Sequence, residues 1–541
     1  MVGVPGRSKA CHNCRHRRIS CGGELPACQK CVKSRRVCTG YQRNHAFILS
    51  KDMVASQPAS SNDRTVLADE SDSGMVMVSG WRMSQRNMSI PYKPDRFLPS
   101  QWLLETTSLS PEITSRNVFR DRFFSLFVEN HFPAGDSVRL TFGDRNDWVL
   151  QIISLPAWTP ALEDAMLAVC TARLGRHAAH PALVRESLRL YTKCLCELRR
   201  DILDPSARNG EQSLAACLAL LLYEVTECPG GTPDGYLAHF RGTIQLLQMR
   251  GAGAHTSGLA HSVFQILRIH IMFQGMVRLR KTFLSQPEWR EIPWSTAQDG
   301  KAPFDRLVDI PLDIPDLSAQ RQALESTTDP HQILSGALES IRGGQRMEST
   351  VEEWFNHFKD TVPGSLYHPE LSNVNSVVDD SDSGKLFPVA FHFPAFIVGQ
   401  SLVFYWVAVM SVHAHLCFTY EILARLSAML DSLGRESLSC SCDGTEKPRH
   451  CLRHFTMELL PPLGPREQWP RGAAYNICRS VEYFLLDKTR GFGPAAVLPA
   501  LTMVKGFWKH AAGDWSREIA WVNDMLSRIR ESGNGIADAL L

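Results

Sequence analysis

Six cysteines near the start of the chain, Cys11, Cys14, Cys21, Cys28, Cys31 and Cys38, spell C-x2-C-x6-C twice, with an offset of 17 residues. Thiolates are soft donors suited to zinc, and a structural zinc takes four ligands in a tetrahedron. Each half supplies three sulfurs, so neither half closes a site alone. Two zincs need eight ligand positions and six sulfurs are present, so two sulfurs must bridge; the repeat requires the bridging pair to be equivalent positions, for instance Cys11 and Cys28. A disulfide framework is the competing reading. The opening MVGVPGRSKACHNC has no apolar run of signal-peptide length, which predicts a reducing compartment and cysteines that are thiols or metal ligands.

Basic side chains crowd the same segment. Residues 1–45 hold ten Lys/Arg against one acid, Glu24, a charge of +9, leaving −7 for the rest of a chain whose net charge is +2. A small cationic head on a mildly acidic body points to a polyanionic partner. After Cys14 the run RHRRIS is expected to make about two turns of helix, with Arg15 and Arg18 on one face and Arg17 flanking it. Such a helix fits a DNA major groove, where arginine pairs bidentately with guanine for about 1–3 kcal/mol of discrimination. Arg15, Lys30, Lys33, Arg35, Arg36 and Arg43 are expected to meet phosphates, raising affinity without carrying sequence information. A solvated basic face is the plainer reading of any one of them, and a weaker reading of the set.

This segment resembles the fungal binuclear zinc cluster (Zn2Cys6) transcription factors. The resemblance lies in the cysteine spacing, the run Arg15-His16-Arg17-Arg18, Pro26 in the middle loop, and Lys33-Ser34-Arg35-Arg36 before the last cysteine. It implies two zincs bridged by Cys11 and Cys28, double-stranded DNA as partner, and a nuclear location. It further implies that Arg18 first and Arg17 second read a CGG-type triplet. The role implied is RNA polymerase II gene regulation through the transcription machinery or co-regulators, often of a metabolic or secondary-metabolite pathway. So small a module has no room for a hydrophobic core, and metal binding is expected to supply most of its folding free energy, on the order of 10 kcal/mol. Ser20 and Gly22 depart from the family pattern of a basic residue and Asp, so weaker affinity or an altered triplet is expected.

Residues 46–100 turn to Ser, Asp, Met and Pro without sustained periodicity and are expected to be a flexible tether. They carry no a/d heptads, so either the chain binds DNA as a monomer or the helical domain supplies the contact of a homodimer. Beyond residue 100 the dominant period is 3.6. The fold class expected is therefore all-α, with a zinc module at 1–45, the linker at 46–100 and a large multi-helix regulatory domain at 101–541. Phe119, Phe123 and Phe127 share one helical face; Thr159 caps a helix that opens at Pro160 and is expected to end at Gly175. Further helical patterns run through 182–202, 211–226, 235–249, 258–284, 333–343, 349–361, 395–430, 473–488, 494–511 and 515–531. The stretch from Phe127 to Arg250 resembles the fungal-specific transcription factor domain, on LPAWTPALEDAMLAVCTARLG, ALLLYEV and HFRGTIQLLQMRG, and the likeness fades after about residue 295. It implies a regulatory role.

Several tempting groups have plainer readings. Ala395 to Val412 brushes the length of a membrane span and is taken as a buried core helix, with no membrane partner expected. Glu224 and His270 are taken as structural. Cys440, Cys442, Cys451 and His454 offer four zinc donors in a polar loop, which incidental thiols explain as well. The chain shows no Gly-rich phosphate loop, nucleophile elbow or paired carboxylates, so no enzyme is expected. The alternative function is a zinc-cluster protein-interaction module on a small-molecule-binding helical body.

Overall fold

Helix signals dominate the chain behind the head, and helices are what form. A computed structural model describes residues 14, 17, 19–22, 28–34, 36, 38, 116–133, 147–204, 210–229, 232–297, 300–380, 382, 384–438, 440 and 450–536. The expected linker at 46–100 lies outside the described residues. In the head, α1 spans Gln29–Lys33. The body comprises α2 (Arg116–His131), α3 (Asp147–Ile153), α4 (Pro160–His177), α5 (Pro181–Leu203), α6 (Glu211–Glu227), α7 (Asp234–Arg250) and α8 (Gly258–Arg278). There follow α9 (Pro287–Glu291), α10 (Pro303–Asp309), α11 (Ile314–Ser326) and α12 (Pro330–Thr361), then strands β1 (His368–Leu371) and β2 (Val389–His392). The chain closes with α13 (Phe396–Leu433), α14 (Trp469–Phe484), α15 (Phe492–His510) and α16 (Ser516–Glu531).

The start of α4 follows the capping rule. Thr159 is extended and its hydroxyl accepts from the amide of Leu162 at 3.3 Å, with Pro160 in the first turn. The expected stop at Gly175 is wrong: the helix runs on to His177. Gly175 serves close packing instead, because a Cβ there would meet Leu183 and Val184 of α5 at 3.0 Å. The turn between these helices is made by Ala179, at φ 51°.

Helix α6 is the centre of the first layer. Residues from Ser213 to Leu221 are all buried, the pattern of a helix covered on every side, and α4, α5, α7 and α8 provide the cover. Glu224, buried in this helix, accepts from the Tyr191 hydroxyl at 2.5 Å; the hydroxyl oxygen lies 2.8 Å from His239 Nε2, and the Tyr223 hydroxyl meets Ser187 at 3.2 Å. Glu224 thus has its hydrogen-bond partner within the helix layer. His270 shares a 3.2 Å hydrogen bond with the Tyr236 hydroxyl, an expected packing role.

The second layer is built on α12 and α13, which pack along each other, with α14 and α15 against α13. The patterns at 333–343 and 349–361 are one helix: α12 passes unbroken through Gly343 and Gly344, and a Cβ at Gly344 would lie 2.6 Å from Leu416 Cδ2 of α13. Helix α13 is long and apolar enough to cross a membrane, yet 67% of its most apolar stretch is buried among other helices. Glu348 of α12 receives Arg466 Nε at 2.6 Å and lies 3.0 Å from His413 Nε2 of α13, which ties the segment before α14 to both long helices. The pattern at 258–284 overran, since Leu279 adopts φ 50° and ends α8. Helices α3, α10 and α11 and the antiparallel pair β1–β2, with His368 opposite His392, were not foreseen. The cavity beneath this hairpin, lined in part by Ser372, Phe387, Glu482 and Trp521, measures about 10 Å³, room for no more than one water.

Two expectations follow. At Gly235 a Cβ would sit 2.6 Å from a Glu224 carboxylate oxygen. Gly235→Ala should therefore destabilise the chain by about 1–3 kcal/mol despite the ~0.5–1 kcal/mol that alanine gains in a helix, measured as a lower denaturant midpoint. Burial also pushes His239, His255 and His415 down to about 4. These rings fold as neutral groups, so their contribution is complete above about pH 6.5 and is lost as pH falls toward 4, on the order of 3 kcal/mol each at the low end. Glu224, raised by burial, works in the opposite direction and offsets part of this. Helical circular dichroism of the full chain in urea should show a flat midpoint from pH 8 to 7 and a steep fall below 6; an unchanged midpoint at pH 5 would contradict it.

Candidate metal centre and nucleic-acid interface

The described part of the head has a core made of sulfur. Cys14, Cys28 and Cys31 are almost fully buried, and Cys21 and Cys38 pack against them. All five are thiols. The Sγ atoms of Cys14, Cys28 and Cys31 lie within 4.8 Å of one another, with Cys14 and Cys28 3.6 Å apart. Zinc–sulfur bonds of about 2.3 Å at tetrahedral angles place two sulfurs about 3.8 Å apart, so the spacing fits a zinc ion.

Backbone donors aim at these sulfurs. Cys28 is the N-cap of α1, and its Sγ accepts from the Cys31 amide at 3.4 Å. The Cys28 amide in turn donates to Cys38 Sγ at 3.5 Å. The thiolate is the form that binds metal. Cys28 is thus the point at which Cys14, Cys31 and Cys38 converge. Cys11 lies outside the described residues.

The sequence repeat extends to the backbone. The Ile19 amide donates to the Cys14 carbonyl, and the Arg36 amide donates to the Cys31 carbonyl, each at 3.0 Å; both donors and both acceptors are 17 positions apart. A bond that spans five residues in this sense is the closing bond of a Schellman helix end. It corrects one expectation: Cys14 is helical and Arg17 sits in a turn, but Ile19 and Ser20 are not helical, so the expected two turns do not extend through Ile19 and Ser20. The signal that would have found this is the 17-residue offset itself, which pairs Ile19 with Arg36, just beyond α1.

Arg17, Lys30, Lys33 and Arg36 are all exposed. Lys30 and Lys33 lie three apart on α1, on one face and near its C-terminal end, where positive charge complements the helix dipole. Arg36 does more than carry charge, since its amide closes the turn after α1. Arg15, Arg18, Arg35 and Arg43 lie outside the described residues.

Residues 9–46 match the fungal Zn(2)-Cys(6) binuclear cluster domain, and residues 98–358 match the fungal specific transcription factor domain. The second match continues past residue 295, where the likeness of individual motifs fades, and takes in most of α12. An uncharacterized protein of Emericella nidulans is similar over 197 residues at 26% identity, a stretch covering 36% of this chain and 42% of that protein. The chain thus spans less than half of that relative's length. No solved structure matches.

Convergence on Cys28 carries an expectation for metal content. Cys28→Ser should cost both zincs of the head, about two ions per chain, rather than one; metal counting on the purified full-length variant checks this, and loss of a single ion would mean that Cys28 serves one metal.

Proposed function

We propose that this chain, which carries both domains of the fungal zinc-cluster transcription regulators, reads a CGG-like site in double-stranded DNA and acts on RNA polymerase II genes in the nucleus. The observation that carries the reading is the sulfur core around Cys28, which leaves Arg17, Lys30, Lys33 and Arg36 exposed on one small module. Cys11, Cys14, Cys21, Cys28, Cys31 and Cys38 hold the two zincs, with Cys11 and Cys28 shared between them. Bound zinc supplies folding free energy and fixes the shape of the module. No chemical step is required of it.

The protein's own side chains do the reading. Arg18, with Arg17 beside it, reaches guanine O6 and N7 from the segment between Cys14 and Cys21; arginine's fixed fork of donors matches that edge. Arg15, Lys30, Lys33, Arg35, Arg36 and Arg43 meet phosphates and set the register. The Ile19–Cys14 bond closes the backbone over the few residues between them, so only a short stretch is presented to a groove. That suits recognition of a short triplet. The division into a DNA-binding head at 1–45, a linker at 46–100 and a regulatory body at 101–541 follows, the body acting through co-regulators or the transcription machinery and, as an alternative to monomeric binding, through self-association.

Selection of bound sites from random duplexes by the zinc-loaded full-length chain tests this at fixed salt. A CGG-like motif should be enriched, and Arg18→Ala should relax it by about 1–3 kcal/mol at the contacted guanine. Lys33→Ala should weaken all sequences alike and flatten the salt dependence by about one counterion. Paired triplets at one spacing would establish a dimer and a single triplet a monomer. A zinc-loaded chain that enriches nothing would overturn DNA reading and favour the protein-interaction alternative.

A further inference from the structure

A second group of metal-type donors sits in the helical body, at the far end of α13. That helix stops at Gly434, at φ 76°, and the next residue acts as a clamp. The Arg435 guanidinium donates to Ser427 Oγ at 2.8 Å and to the carbonyls of Leu452, at 3.4 Å, and Phe455. Leu452 and Phe455 are buried, so the segment returning from the loop is anchored on both sides of the turn it carries. In that turn the amides of His454 and Phe455 both donate to the Cys451 carbonyl, at 3.1 and 2.8 Å, which sets Cys451 and His454 three positions apart on one bend.

The third donor comes from the other arm of the loop. Cys440 Sγ lies 3.4 Å from Cys451 Sγ and 3.9 Å from His454 Nδ1, and the three donor atoms fall within 4.8 Å of one another. Around one zinc, bond lengths of about 2.3 Å to sulfur and 2.0–2.1 Å to nitrogen place such donors about 3.5–3.8 Å apart. The observed separations bracket those values. Two thiolates and an imidazole form a soft donor set that suits zinc and not magnesium or calcium, which take oxygen.

We propose that Cys440, Cys451 and His454 hold a zinc ion separate from the N-terminal pair, with a fourth position taken by water or by a further donor. Cys442, the remaining donor of this loop in the sequence, lies outside the described residues. Cys440 is disulfide-bonded in this structure, a departure from the expectation that the cysteines are thiols or metal ligands, so the metal form is the reduced one. A dithiol reductant transfers two electrons and two protons to the disulfide and is itself oxidised to a disulfide. Cys451 is already a thiol, so reduction frees the Cys440 thiol and that of its disulfide partner, and the Cys440 and Cys451 thiols then each release a proton as the Zn–S bonds form. Held this way, the ion closes the loop between positions 440 and 451 and locks the end of α13 to the segment that leads into α14. The arm that carries Cys451 and His454 is already placed by Arg435.

Metal counting on the full-length chain, purified under a phosphine reductant and dialysed against zinc-free buffer, tests the proposal. About three zincs per chain are expected in the wild type and about two in both Cys451→Ser and His454→Asn, with helical circular dichroism unchanged. His454 is exposed, so its replacement leaves the fold in place even should the cysteine variant fail to fold. The difference of one ion between wild type and His454→Asn does not depend on what the N-terminal module holds or reads. Equal zinc content in wild type and His454→Asn would overturn the site.

Discussion

A few dozen residues cannot remove enough apolar surface from water to offset the entropy of ordering their backbone, and the head of this protein is built around that deficit. Its interior is sulfur: Cys14, Cys28 and Cys31 occupy the positions that leucines or valines hold in a larger module. Thiols at such spacing repel one another once ionised and cohere only through a cation among them. The short helix α1, the turns after Cys14 and Cys31 and the exposed basic residues all hang on that cohesion. Metal occupancy and the fold of the head are one property seen by two measurements.

The helical body solves the same problem by ordinary burial and meets a different constraint. Long, apolar helices such as α6 and α13 carry polar residues at covered positions, and each requires a partner from a neighbour. Glu224 finds Tyr191, Glu348 finds Arg466 and His413, and His415 Nε2 meets the Ser340 hydroxyl at 2.9 Å. Most of these links run between helices. They specify which face of one helix meets which face of the next, a distinction that leucine against leucine makes poorly.

Much of this was legible beforehand, for reasons that differ by element. The cysteine repeat was legible because metal coordination is a matter of donor count and spacing, both written in the sequence. The Thr159–Pro160 start of α4 was legible because capping is local. Gly175 was misread as a helix end, and the patterns at 333–343 and 349–361 as two, because the cause is not local: Gly175 and Gly344 admit another helix to close approach, and nothing within the chain segment reveals the partner. The β1–β2 hairpin escaped notice because β1 is exposed along its whole length and lacks the alternation that marks a half-buried strand. In the head, RHRRIS reads as helix by composition, and the bond from Ile19 to Cys14 that departs from this is made by backbone atoms common to every residue.

Helices α12 and α13 have 32 and 38 residues. At about 1.5 Å per residue they are rods roughly 50 Å long, side by side and in contact at Gly344 and Leu416. A rod of that length is a lever. A rotation of about one degree at one end displaces the other by nearly 1 Å, comparable to the shifts that repack an interface. A tilt of α13 set at its Leu433 end moves Phe396 as well, because one continuous helix carries both.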